Sequence, residues 1–213
     1  MKTPLLSALL CLSLTPFAGA ETWSAAAVSA AQALKMPASV KTVAVAASVA
    51  TRRGRPAAGW ISGGMNNSPV NLTFDLRNWK ITGGANLSPV EITIDHEAKT
   101  IKGGANQSPV DLKFTWTPQK VTLEGGANGS PVKLEVDWTK GTLDGYSNNS
   151  PVHLDFNLQE GTAKGYANHA PIEMNLDRVS GNMTGAMNHA ALQIKLVNLD
   201  LSDVLGHFYL FLK

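Results

Sequence analysis

The chain has 213 residues, of which 44% are hydrophobic, and its 18 Lys and Arg residues nearly balance 16 Asp and Glu residues, for a formal net charge of +2. A balance this even provides no overall attraction for nucleic acid, so we expect no nucleic-acid partner. The length suits one domain, or one repeat array with a small appendage. Cys11 is the only cysteine, which excludes an intramolecular disulfide.

Residues 1–20 have the composition of a secretory signal peptide. Lys2 precedes an apolar run over residues 5–14, and the small residues Ala18, Gly19 and Ala20 follow. Such a segment predicts export and removal from the mature protein. We therefore expect a bacterial protein located in the periplasm, at the cell surface or outside the cell, with the outer membrane as the alternative. Residues 21–58 are rich in alanine and basic residues, and we interpret them as a leader or linker.

Seven copies of one phrase, Gly-x-x-Asn-x-(Ser/Ala)-(Pro/Ala)-Φ-x-Φ-x-Φ with Φ apolar, occupy residues 61–196. The copies follow each other at intervals of 20 residues, except for one interval of 22. A fixed period of this length indicates one supersecondary unit that is copied along the chain. The sequence therefore predicts a repeat domain over residues 61–196.

The polar part of the phrase predicts a structural turn. Asparagine bonds locally to backbone and tolerates positive φ, while proline presets φ and has no N–H. The asparagines are Asn66, Asn86, Asn106, Asn128, Asn148, Asn168 and Asn188. The prolines are Pro69, Pro89, Pro109, Pro131, Pro151 and Pro171. The second turn of each unit varies in sequence, so we expect it to tolerate changes in sequence and length.

The apolar part of the phrase predicts a strand with one buried face. In the second unit Val90, Ile92 and Ile94 alternate with polar residues, and the other units follow the same period of two. A shorter strand with small residues precedes each turn, and its glycines are expected under the bulky side chains of the core. These core glycines are Gly83, Gly103, Gly125, Gly145, Gly165 and Gly185. The fold class is therefore all-β, with two strands in each of seven repeats.

Two all-β architectures satisfy this pattern, a β-solenoid of stacked coils and an antiparallel meander or barrel of about 14 short strands. Charge pairing does not separate them. A meander is expected to pair Asp75 with Lys80, which is favourable, but to oppose Glu124 to Glu135, which is not.

Two arguments favour the solenoid. A barrel of so many strands needs material to fill a wide lumen, and the chain has little to spare. Neither turn has the repeated Asn-Gly or Asp-Gly pair of tight two-residue hairpins. Stacked asparagines would instead form a hydrogen-bonded ladder from unit to unit.

The segment Gly-Gly-Ala-Asn-Gln-Ser at residues 103–108 resembles the turn of the curlin repeats of bacterial surface amyloid fibres. The repeat length and the preceding signal peptide are also similar. The resemblance covers residues 61–196 and implies a stacked β-repeat at the bacterial surface, with self-association or an envelope component as partner.

The sequence contains no catalytic constellation, and we predict a non-enzymatic protein without cofactor or metal. The repeated serines lack a repeat-linked His and Asp that would activate them. His169 and His189 occupy the same place in adjacent units, but two ligands without a third make a poor metal site.

Residues 197–213 are more apolar than the units before them and predict a cap on the end of the array. The functional prediction is a secreted β-repeat protein with a structural, adhesive or binding role at the cell envelope or outside the cell. The alternative is an outer-membrane or lipid-binding β-barrel, in which membrane contact is expected.

Overall fold

A computed structural model describes residues 56–212. The predicted signal peptide and nearly all of the predicted leader lie outside these residues. No helix within residues 56–212 is long and apolar enough to cross a membrane.

The described residues form fourteen strands, two per repeat, followed by one short helix. The strands are β1 (Ala58–Met65), β2 (Ser68–Asp75), β3 (Lys80–Ala85), β4 (Ser88–Asp95), β5 (Thr100–Ala105), β6 (Ser108–Trp116), β7 (Lys120–Ala127), β8 (Ser130–Asp137), β9 (Thr142–Ser147), β10 (Ser150–Asn157), β11 (Thr162–Ala167), β12 (Ala170–Asp177), β13 (Asn182–Met187) and β14 (Ala190–Val197). The helix is α1 (Leu201–Gly206), and a 3₁₀ turn (Phe208–Leu210) follows it.

Each strand pairs antiparallel with its neighbours in sequence, and β1 pairs with β14, so the sheet closes into a barrel. At the closing seam Ile61 lies opposite Leu196. This confirms the antiparallel barrel, and the solenoid that the sequence favoured is wrong. The stacked coils implied by the curlin resemblance are not the architecture of this chain.

The solenoid prediction was wrong partly because the asparagine turn is a tight hairpin. Ala85 pairs with Ser88, so the loop between β3 and β4 consists of only Asn86 and Leu87. Both residues have positive φ, 52° and 60°. Positive φ at both central positions is the geometry that matches the twist of two-residue hairpins. The asparagines of all seven units have φ between 51° and 55° and lie in the predicted turn, even though glycine follows only Asn128.

The prolines do not lie in this turn, contrary to the prediction. Each is the second residue of its strand, as Pro89 is in β4, and each is exposed; the six are Pro69, Pro89, Pro109, Pro131, Pro151 and Pro171. A proline is tolerated there because the hydrogen-bond ladder with the following strand starts further along the chain. Between β4 and β5 the first pair is Glu91 with Gly104, so Pro89 removes no ladder hydrogen bond.

The predicted core glycines also differ from the prediction, since none of the six is buried. Gly83, Gly103, Gly125 and Gly145 are exposed, and Gly165 and Gly185 are half-buried. Glycine is required because φ is +147° at Gly103, and an added Cβ would overlap the carbonyl oxygen of Glu91 on the neighbouring strand. The glycine makes room for backbone and not for core side chains.

The second turn of each repeat, which varies in sequence, is held by side-chain hydrogen bonds to its backbone. At the end of β2 the Asp75 carboxylate accepts hydrogen bonds from the backbone N–H groups of Arg77 and Asn78, at 3.0 and 2.9 Å. The same Asx geometry recurs at Asp95, Asp137, Asn157 and Asp177. In the unit with the longer interval the Thr117 hydroxyl accepts from Gln119 and Lys120 instead.

The barrel lumen is apolar and is filled by the C-terminal segment. Along β2 the inward residues Val70, Leu72 and Phe74 are at most 2% exposed, and they belong to the same core cluster as residues 201–212. The ring of His207 lies 5.5 Å from that of the inward-facing Phe74. The predicted cap therefore packs inside the barrel. Closure by β1 and β14 leaves no open edge between these strands, and the segment supplies the material that fills the lumen.

Helix α1 begins where Asp200 caps it. The Asp200 carboxylate accepts from the backbone N–H groups of Ser202 and Asp203, and the Asp203 carboxylate accepts from the backbone of Asp200. This reciprocal capping box fixes the start of the helix as the chain turns into the lumen.

Candidate functional site

The seven repeat asparagines meet at one mouth of the barrel and form a ring of side-chain hydrogen bonds. The amide Nδ2 of one unit donates to Oδ1 of the next, as from Asn66 to Asn86 at 3.0 Å and from Asn86 to Asn106 at 2.8 Å. Asn188 donates to Asn66 at 2.8 Å, so the hydrogen bonds continue across the seam between β14 and β1. The remaining links are Asn106 to Asn128, Asn148 to Asn168 and Asn168 to Asn188. The hydrogen bonds between asparagines of successive units that a solenoid predicts are therefore present, but they run around the mouth of the barrel.

The asparagine ring holds the end of the C-terminal segment. Asn66 donates to the carbonyl oxygen of Phe211 at 3.1 Å, and Asn106 donates to that of Leu212 at 3.0 Å. Asn128 also donates to Leu212, at 2.8 Å. These donors satisfy carbonyl groups that the short helical segment leaves without intrahelical partners.

The ring is open at one link, between Asn128 and Asn148. The Nδ2 of Asn128 turns to the carbonyl oxygens of Tyr209 and Leu212. The Oδ1 of Asn148 is buried and has no hydrogen-bond partner within the described residues. We call residues 201–212, which fill the lumen, the plug. We interpret the ring as a structural clamp on the plug, because its polar groups are directed at other parts of the same chain.

His169 and His189 follow two of the ring asparagines at exposed hairpin tips. Among residues 56–212 no group of three or more His, Cys, Asp or Glu side chains is arranged to hold a metal ion.

The outer face of the barrel carries a row of equivalent positions that we call the outer row. Each member lies opposite the second residue of the following strand, as Gly84 lies opposite Pro89 and Tyr146 opposite Pro151. In chain order the members of the outer row are Gly64, Gly84, Gly104, Gly126, Tyr146, Tyr166 and Ala186. The two tyrosines are 39% and 45% exposed. Two neighbouring units thus place aromatic rings where four others have glycine.

Polar side chains surround these two rings. The hydroxyl of Tyr146 donates to Oδ1 of Asn149 at 3.2 Å. His153 lies opposite Tyr166 in the ladder, with ring centroids 5.7 Å apart. Nδ1 of His153 is 2.6 Å from Oδ1 of Asp144.

The imidazole of His153 is placed between two carboxylates. Its Nε2 lies 3.6 Å from Oδ2 of Asp155, in addition to the contact with Asp144. The hydrogen bond with Asp144 is the main cause that raises the pKa of His153 above its usual value, and the same bond lowers the pKa of Asp144. Beside Tyr166, Lys164 donates to Glu173 at 2.9 Å and lowers the pKa of that carboxyl.

None of these residues is predicted as a site from the sequence. Tyr146 and Tyr166 could have been found by aligning the seven units, because an aromatic residue in a glycine position is visible there. The proximity of His153 to Asp144 required the hairpin register, which the sequence left open.

A family model for the propionyl-coenzyme A carboxylase BT domain matches residues 43–147. The matched segment is just under half of the chain and ends at Ser147, the last residue of β9. It shows a similarity to that family over these residues. No curated protein and no solved structure matches the chain.

Proposed function

We propose that this chain is an exported, non-enzymatic binding module that works through the polar outer face of its barrel, at the bacterial cell envelope or outside the cell. The observation that carries the proposal is the division between the two faces of the sheet. The inner face is apolar and packed against the C-terminal segment, with Leu201, Leu205 and Phe208 at 0% exposure. The groups that can meet another molecule are therefore on the outside.

The outer face has the character of a recognition surface for polar ligands. Along β4 the outward residues Glu91, Thr93 and Asp95 are all exposed, and the other long strands are similar. Such a face disfavours the alternative function, in which the strands contact lipid, because charged side chains in the hydrocarbon region are costly.

Fractionation and envelope binding test the proposal. The full chain, signal segment included, is expressed in a bacterium, and the periplasmic and culture fractions are collected without detergent. We expect the protein in these fractions, and we expect the purified protein to sediment with isolated envelopes. Recovery only in detergent extracts, with gel mobility that changes on heating, would instead support the lipid-contacting barrel.

A further inference from the structure

The ligand class of the outer face follows from the outer row, and this inference rests on the proposed binding function. We propose that Tyr146 and Tyr166 form a stacking platform for a neutral glycan chain. The first support is that the fold does not need an aromatic ring at these positions. Gly64, Gly84 and Gly104 occupy the same register in other hairpins of the same barrel. The tyrosines are exposed, so they add little to the core.

The spacing of the two rings suits consecutive parts of one sugar chain. Tyr146 lies on β9 and Tyr166 on β11, with β10 between them. Tyr146 lies opposite Pro151 and Tyr166 opposite His153, so the two positions are two strand spacings apart across the sheet and two residues apart along it. This places them about 12 Å from each other. A linear chain of several pyranose rings can reach from one tyrosine to the other. Each pyranose has an apolar C–H face that stacks on an aromatic ring and a rim of hydroxyl groups.

The polar groups near the rings are suited to those hydroxyls. The carboxylates of Asp144 and Asp155 accept hydrogen bonds. The Oδ1 of Asn149 accepts from Tyr146 and its Nδ2 donates to Ser130 at 3.4 Å, which leaves one amide hydrogen for a ligand. Binding sites combine such apolar surfaces with a few directed polar groups.

The charges of the surface disfavour a single-stranded nucleic acid, which also stacks on aromatic rings. Such ligands need a cationic groove along their phosphates. Here two carboxylates, Asp144 and Asp155, flank the imidazole of His153, and Lys164 is paired with Glu173. Lys133, opposite Tyr146, lies 4.0 Å from a carboxylate oxygen of Glu124. An uncharged chain has no such requirement.

The experiment uses the full chain and two neutral linear probes, cellohexaose and chitohexaose, with binding followed by isothermal titration. We expect weak binding that falls about tenfold in each of Tyr146→Gly and Tyr166→Gly, in line with the loss of one aromatic stacking contact. Glycine is chosen because it is the residue of the equivalent position in four units, so the variants keep the fold. Unchanged urea midpoints would verify this.

Two further variants make the test specific. Trp60→Thr removes an aromatic side chain that is 41% exposed on β1 but outside the outer row, and it should leave binding unchanged. Gly126→Tyr adds a third ring on β7, two strands from Tyr146. An added Cβ there meets only the carbonyl oxygen of Ser130 at 3.9 Å, so a side chain can begin at this position without a clash. The Gly126→Tyr variant should bind the hexasaccharides several-fold more tightly, because it adds about one stacking contact.

Isolated bacterial envelopes separate failure of this inference from failure of the proposed function. Loss of envelope binding in the double variant of Tyr146 and Tyr166, and after periodate oxidation of envelope sugars, supports the platform. If envelopes bind both proteins equally, or if only protease treatment of the envelopes abolishes binding, the glycan inference is overturned while the binding module stands. If the wild-type chain binds neither envelopes nor hexasaccharides, both are overturned.

Discussion

The asparagine ring makes a quantitative prediction about stability, which the Asn86→Gly substitution tests. Oδ1 of Asn86 accepts from Asn66 at 3.0 Å, and its Nδ2 donates to Asn106 at 2.8 Å. The residue is 3% exposed, so water does not replace these bonds fully. Two hydrogen bonds at about 0.5 to 1.5 kcal/mol each give an expected loss of about 1 to 3 kcal/mol.

Glycine is the informative replacement because it adopts the φ of 52° without strain. The matched control is Asn67→Gly, at the second position of the neighbouring hairpin, where φ is 56°. The Asn67 side chain is exposed and makes no hydrogen bond within the described residues. Both substitutions add the same flexibility to the unfolded chain, so their difference isolates the ring.

The assay is urea denaturation of both variants and the wild-type chain, followed by circular dichroism. With equal slopes, the shift in midpoint reports the change in the free energy of unfolding. We expect Asn86→Gly to be less stable than Asn67→Gly by at least about 1 kcal/mol. A difference below about 0.5 kcal/mol would mean that the ring contributes nothing beyond the turn.

Three other predictions concern the strand glycine, the plug and the exposed ion pair. Gly103→Ala should lower the free energy of unfolding by about 3 kcal/mol or more, since its Cβ overlaps backbone, whereas Gly104→Ala, with its nearest atom at 3.8 Å, should change little in the same urea assay. Tyr209→Phe should raise the free energy of unfolding by about 1 to 3 kcal/mol, because it removes a hydroxyl that is buried without a partner in the described residues. A lower urea midpoint in this variant would show that the hydroxyl is satisfied. Because the folded-state pKa of His153 is raised, its contribution is complete below its unfolded pKa of about 6.5 and is lost as the pH rises through the folded value. The stability difference between the wild-type chain and Asp144→Asn should therefore shrink with rising pH in urea titrations, and a difference that is constant between about pH 5 and 9 would contradict this.

The strands and their buried faces were predictable from the sequence because alternation is a local property. In β4 the predicted inward residues Val90 and Ile92 are at most 2% exposed, while Glu91 between them faces outward. Each strand obeys the period of two whatever its partners are. The sheet topology, in contrast, depends on turn conformation and on what fills the lumen.

The tight asparagine turn is not predicted from the sequence because residues other than glycine hold its second position. Leu87 adopts a φ of 60° and Gln107 one of 59°, conformations that cost free energy for such residues. The backbone N–H of Gln107 donates to the hydroxyl of Ser88 in the neighbouring hairpin at 2.7 Å, and the ring bonds hold the preceding asparagines. These tertiary bonds override the local preference.

Charge pairing does not separate the two architectures from the sequence alone, because it depends on a hairpin register that the sequence does not specify. Glu124 was expected opposite Glu135, but it lies opposite Lys133, and Thr122 faces Glu135. The pairing of Asp75 with Lys80, in contrast, is observed as expected. An error of two residues in the turn converted one attraction into an apparent repulsion. Correct register would have favoured the meander.

Tyr146 and Tyr166 are not predicted from the sequence, because a repeat pattern identifies only the residues that all units share. A residue that recurs in every unit serves something that every hairpin shares, as Asn86 serves the ring and Gly103 the close approach of neighbouring backbones. Such residues explain the fold. A residue that departs from its unit at a fixed register is free of that shared requirement, as Tyr146 is where Gly126 shows that no side chain is needed. In a closed barrel of similar hairpins, the residues free for contacts outside the fold are therefore the exceptions, and Tyr146 and Tyr166 are two such exceptions in the outer row.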